Sequence, residues 1–250
     1  MITLSGGALH TTIHFPGGEI GVRITKTSSA LIDVTFEFES SDTVMELLLI
    51  VDAIQMNGLK VGTLYMDYVP YSRQDRIMCF GVSLSIKVFC NLINALGFKR
   101  VVVKDLHSPV TKALLNNCNE ITQAQLFAPM LKGKKGYSLI CPDAGAYKKC
   151  VELAKKVSPD GIVQFQKIRD LQTGEIIAID TTATEVSSEC VIVDDICDGG
   201  RTFIEIAKIL KKRYLVKKIT LMVTHGFFTK GIAVFDGLID KIYTKEGQMK

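Results

Sequence analysis

Residues 191–202 read VIVDDICDGGRT. An aliphatic run ends in two adjacent carboxylates, then glycines, an arginine and a hydroxyl, before the helix-like pattern TFIEIAKILKKRY of 202–214. Unbroken β-branched residues mark a strand buried on both faces, which is the signature of a parallel sheet covered by helices. Other runs of the same kind are VGTLYM (61–66), RVVVKDL (100–106), YSLICP (137–142), GIVQFQ (161–166) and KITLMVTHG (218–226). Between several of them lie the helical patterns of 44–58, 83–97 and 146–157, two of which close on a glycine. Alternating strand and helix predicts an α/β chain with mainly parallel sheets. The polar, turn-rich interval 116–136 divides it, giving domains of 1–118 and 119–250, with room for the tail to return to the first.

Composition narrows the function classes. With 250 residues, 47% hydrophobic and 22% charged, the chain has enough apolar surface for one large core or two modest ones. There is no run of eighteen apolar residues and no charged-then-apolar leader, so the expectation is a cytoplasmic protein with no membrane partner. The net charge of +4 is small and its lysines are scattered, so no nucleic-acid partner is expected. Seven cysteines without CxxC or zinc-ligand spacing read as reduced thiols.

In an open parallel sheet, ligands bind beyond the carboxyl ends of the strands, which is where DDICDGGRT falls. Glycines let backbone N–H groups face an anion and the following helix dipole favours it, so Asp198, Gly199, Gly200, Arg201 and Thr202 read as a phosphate loop. The spacing fits neither GxxxxGK[ST] nor GxGxxG. Carboxylates placed just before such a loop suit the vicinal hydroxyls of a ribose whose 5-phosphate sits in it. The competing reading is a strand end whose acids cap the next helix. A pair of aspartates before a glycine turn favours the sugar.

VIVDDICDGGRTF resembles the phosphoribosyl-diphosphate motif of type I phosphoribosyltransferases. YMDYVPYSRQDR (65–76), VVVKDLHSP (101–109), CPDAGAYKK (141–149) and VTHGFF (223–228) resemble, in order, the blocks of ribose-phosphate pyrophosphokinases, and FPGGEIGVRI (15–24) resembles that family's FxDGE segment. The resemblance implies two type I phosphoribosyltransferase-like domains, the first on the ATP side and the second on the ribose phosphate side. It implies transfer of the β,γ-diphosphoryl group of ATP to the anomeric hydroxyl of ribose 5-phosphate, leaving AMP, with Mg2+ as cofactor.

On the same resemblance Asp194 and Asp195 hold the ribose hydroxyls, and Asp198 through Thr202 the 5-phosphate. Asp143 coordinates magnesium near the sugar, and His107 sits at the metal–ATP site. Arg73 and Gln74 contact ATP, joined by Phe15 and Glu19 from a neighbouring subunit, so a homo-oligomer, dimer or hexamer, is expected. Lys167 and Arg169, in FQKIRDLQTGEI, match the family's catalytic loop.

The departures are specific. Gly17 stands where the family has an aspartate, IMCFGV (77–82) replaces a charged segment tied to allosteric control, and the family's opening helix and closing strand and helix are missing or shortened. The phosphate loop reads DGGRT where members carry a DTAGT-like sequence. That change loses a hydroxyl and adds a cation suited to phosphate, and it raises a variant in which the acceptor is a 5-substituted ribose such as ADP-ribose. A phosphoribosyltransferase proper would have no use for PYSRQDR or DLH, and a non-catalytic relative tends to lose the cations and carboxylates kept here.

Overall fold

The computed structural model describes residues 1–169 and 176–250, apart from the side chains of 167–169 and 176–178. The chain divides into two units, Met1–Ile121 and Thr122–Lys250. Among the described residues no helix is long and apolar enough to cross a membrane.

The first unit runs β1 (Ile2–Leu4), β2 (His10–His14), β3 (Ile20–Ile24), β4 (Leu31–Phe36), α1 (Ser41–Met56), β5 (Lys60–Met66), α2 (Ser85–Ala95), β6 (Arg100–Lys104), α3 (Pro109–Leu114) and β7 (Cys118–Ile121). Its sheet has the order β1-β4-β5-β6-β7, with β4 to β7 parallel and β1 antiparallel at the edge. Helix α1 starts where Ser40 accepts from the Asp42 amide and Thr43 reaches back to the cap, a reciprocal capping box. Its Leu47, Ile50, Val51 and Ile54 recur at helical spacing and pack on Val34, Phe36, Leu64 and Met66 of the sheet. Strands β2 and β3 form a separate hairpin. His10 and Thr12 of that hairpin both meet the Glu46 carboxylate on α1, His10 Nε2 at 3.3 Å.

The second unit runs α4 (Gln123–Phe127), β8 (Tyr137–Cys141), α5 (Ala144–Val157), β9 (Gly161–Gln164), β10 (Gln166–Arg169), β11 (Ile176–Asp180), β12 (Glu189–Cys197), α6 (Arg201–Arg213), β13 (Lys218–Gly226), β14 (Lys241–Thr244) and β15 (Gly247–Gln248). The sheet order is β15-β14-β13-β12-β8-β9, parallel from β14 to β9. The run Cys190–Val193 is buried throughout because successive side chains go to two different cores. Ile192 joins Ile140, Val223 and the α6 residues Phe203, Ile206 and Leu210. Val191 and Val193 join Leu139, Met222 and the α5 residues Cys150 and Leu153. Chain order moves outward from β8 to β9 on one side and returns through β12, β13 and β14 on the other, so the direction reverses between β8 and β12. Among the described residues, strands β10 and β11 pair only with each other. The closing residues add β14 and β15 to this sheet, so the tail stays with the second unit.

Candidate active site

The reversal between β8 and β12 is a switch point, and the carboxyl ends of the strands there are the usual ligand position in such sheets. Two acidic positions flank it. Ile140 is paired with Ile192 across the two strands, and each chain continues three residues, to Asp143 and to Asp195. Asp143 is the N-cap of α5, its Oδ1 accepting from the Ala146 amide at 3.0 Å. Asp195 is buried, and Lys149, one and a half turns into α5, reaches it with Nζ 3.3 Å from Oδ2. Asp194, half-buried, accepts from the Asp195 amide at 3.0 Å. Neither Asp194 nor Asp195 caps α6, whose N-cap is Gly200. The helix-capping alternative therefore does not hold for the aspartate pair.

The loop after the pair turns tightly into α6. Gly200 has φ +78, and a Cβ there would lie 2.5 Å from Cζ of Phe235, so only glycine fits. No side chain caps the first turn of α6, which leaves its N-terminal amides aimed past Gly200. Asp198 is held from the side: Thr229 Oγ1 donates to its Oδ1 at 2.8 Å. Arg201 is exposed at the first position of α6, and Thr202 follows half-buried. The Cys197 thiol inside this loop is no nucleophile. Burial first, then the charges of Asp194 and Asp198, push it up to about 12.

In the first unit the loops that follow β5 and β6 lie side by side because those strands are neighbours. Lys104 Nζ, at the end of β6, pairs with Asp67 at the end of β5 at 2.8 Å. The β5 loop turns back at Tyr71, whose φ is +62 and whose ring meets Phe38 and Phe89. Arg73 and Gln74 stand exposed on that turn, with the Gln74 amide donating to Tyr71 O at 2.9 Å. His107 is exposed in the β6 loop. Asp75 joins the two loops. Its burial raises the pKa, but hydrogen bonds from Arg76 and Ser108 and the charges of Arg76 and His107 outweigh this and hold the carboxyl below its ordinary value.

Phe15 to Glu19 form the turn of the β2–β3 hairpin, closed by Phe15 N donating to Glu19 O at 2.9 Å. Phe15 and Glu19 are both exposed. A Cβ on Gly17 would meet nothing within 4 Å, so packing does not forbid the family's aspartate there. Lys167 and Arg169 lie on β10, opposite Ile179 and Ile176 of β11, and the LQTG turn beyond them falls outside the described residues. The replacement segment 77–82 is exposed, with Ile77, Met78, Phe80 and Val82 all facing solvent.

Magnesium is a hard cation that takes one or two protein carboxylates and completes its shell with water and substrate phosphates. Among the described residues no three His, Cys, Asp or Glu side chains converge on one metal position. The Asp143 carboxylate suits such a sparse site. The His107 imidazole is a softer donor, better matched to a phosphate oxygen than to direct coordination. Sequence reading missed Lys149, Asp75 and Thr229. Lys149 and Thr229 could have been suspected only from their nearness in the chain to PDAG and THG, and Asp75 from its place inside RQDR.

Residues 8–97 match the family model described as the N-terminal domain of ribose phosphate pyrophosphokinase. The ribose-phosphate pyrophosphokinase of Mycoplasmopsis pulmonis is 27% identical over 236 residues, 91% of this chain and 73% of that protein. That of Bradyrhizobium diazoefficiens is 30% identical over 227 residues, 88% and 70% of the two chains. That of Pyrococcus furiosus is 30% identical over 220 residues, 87% and 77%. The crystal structure of phosphoribosylpyrophosphate synthetase from Mycobacterium smegmatis matches with a TM-score of 0.80 over 95% of this chain and 80% of that one, at 18% identity, a likeness of fold.

Proposed function

The chain belongs to the ribose-phosphate pyrophosphokinase family, and on that premise we propose that it transfers the diphosphoryl group of ATP to the anomeric hydroxyl of a 5-phosphorylated ribose, ribose 5-phosphate being the simplest. The observation that carries this is the aspartate pair at the end of β12 running into a Gly200-capped helix start with no side-chain cap. Carboxylates accept from sugar hydroxyls, and uncapped amides with a favourable dipole bind a phosphate.

The second unit holds the acceptor and the first holds ATP. Asp194 and Asp195 orient the ribose through its vicinal hydroxyls, with Lys149 keeping the Asp195 carboxylate in place. Asp198 to Thr202 close on the 5-phosphate. Arg73, Gln74 and His107 contact the nucleotide, and Phe15 and Glu19 are presented by a second subunit. The anomeric oxygen then forms a bond to the β-phosphorus while the bond from that phosphorus to the α–β bridging oxygen breaks. AMP departs and the hydroxyl proton passes to solvent. Lys167 and Arg169 stabilise the charge that builds up on the transferred group, which is where positioned cations lower a phosphoryl-transfer barrier. Bound magnesium would neutralise phosphate charge, with Asp143 as its protein carboxylate and His107 on the ATP side.

Incubation of the protein with ATP, magnesium and ribose 5-phosphate should yield AMP and a phosphoribosyl diphosphate in equal amounts, read by 31P NMR. Hydrolysis of ATP to ADP alone, or no turnover, would overturn the proposal.

A further inference from the structure

We infer that the acceptor cradle holds a second phosphate through Lys230 and Arg201, so that its substrate class extends to ribose carrying a 5-diphosphate ester; this rests on the acceptor site proposed above. Lys230 is placed by its backbone. After β13 ends at Gly226, Phe227 N donates to Cys197 O at 2.8 Å, and Thr229 N donates to Asp198 O at 3.3 Å. Gly231 N then donates to Phe228 O at 2.7 Å, and φ +75 at Gly231 turns the chain away. These bonds stretch the segment before Ile232 across the phosphate loop.

The Lys230 stem consequently lies over Gly199: a Cβ at that glycine would stand 3.5 Å from both Cδ and Cε of the lysine. That is van der Waals distance, so the lysine stem packs directly on the open face of the glycine. Arg201 extends from the other end of the same loop, one residue past Gly200. Lys230 and Arg201 are both exposed, and neither forms an ion pair among the described residues.

Asp198, the carboxylate of the same loop, has its Oδ1 engaged by Thr229. A monoester phosphate is already served by the α6 amides and Thr202. Two further cations, one at the start of α6 and one on the segment that crosses the phosphate loop, gain most when an anion lies between them. A diphosphate ester supplies that anion. Its first phosphate would sit on the helix start and its second would leave the loop over Gly199, between the two cationic ends.

One charged hydrogen bond of this kind shifts affinity by about tenfold or more. The test uses the full chain and two acceptors, ribose 5-phosphate and ADP-ribose. Binding is measured by calorimetry without ATP, and turnover by AMP release, for wild type, Lys230→Ala and Lys230→Arg. The expected result is that Lys230→Ala weakens ADP-ribose about tenfold more than ribose 5-phosphate, and that Lys230→Arg recovers most of the difference. Equal loss on both acceptors, or no binding of ADP-ribose by the wild type, would overturn the inference. Failure of the activity reading would show differently, as absence of AMP with either acceptor, while the calorimetric comparison still decides what Lys230 holds.

Discussion

At the residue scale the proposed chemistry separates two kinds of side chain. Lys167 and Arg169 are proposed to act on the transferred group, so replacing either by alanine should lower kcat by about two to three orders of magnitude with little change in Tm. Near-normal turnover in both variants would remove them from the mechanism. Asp194→Asn should instead raise KM for the acceptor as well as lower kcat, because that carboxylate meets the sugar in the ground state too. Asp75 gives a prediction in pH. Its folded-state pKa is depressed, so its contribution to stability is present above the ordinary carboxylate range and is lost as pH falls through the folded value. Thermal melts from pH 7 down to 3 should therefore show the wild type losing its advantage over Asp75→Asn at the acid end. Parallel curves would mean that the tie to Ser108 and Arg76 contributes nothing.

At the element scale the start of α6 is the most exposed to damage. Gly200→Ala places a β-carbon 2.5 Å from Phe235 and in a left-handed backbone. The conformation alone costs about 1 kcal/mol or more, before any clash. A lowered Tm and a larger loss of acceptor binding than of ATP binding are expected, by differential scanning and calorimetry. The strands that frame this loop were legible because burial on both faces writes unbroken aliphatic runs, as in Cys190–Val193. Elements with one wet face or few residues were not. Strand β4 alternates and carries Asp33, whose Oδ1 takes the Thr63 amide at 2.6 Å where the register slips. Strand β2 is hydroxyl- and histidine-rich, β3 is broken by a glycine and an arginine, and β14 and β15 are short. Asp194 and the loop 198–202 stand out as candidates in the sequence because their residue types are rare in that order. Lys149 could not be read, since a lysine acquires meaning only when the fold shows which anion it faces, here Asp195.

At the scale of the whole molecule each unit has its own sheet and its own buried clusters, and the proposed division of labour can be tested as a double dissociation. Arg73→Ala should raise KM for ATP by about tenfold and leave ribose 5-phosphate binding in the absence of ATP nearly unchanged, with Asp194→Asn showing the opposite pattern. Both variants affecting both ligands equally would argue against one ligand per unit. The thiols of Cys90, Cys190 and Cys197 are pushed up to about 12, chiefly by burial, and that of Cys150 is raised first by its hydrogen bond with Cys141. Cys118 is also raised, leaving Cys79 as the exposed cysteine, three residues past Arg76 in the loop that carries Arg73 and Gln74. A maleimide dye added at neutral pH would therefore find one fast-reacting address on an unmodified chain, and its fluorescence would track nucleotide arrival without any engineered handle.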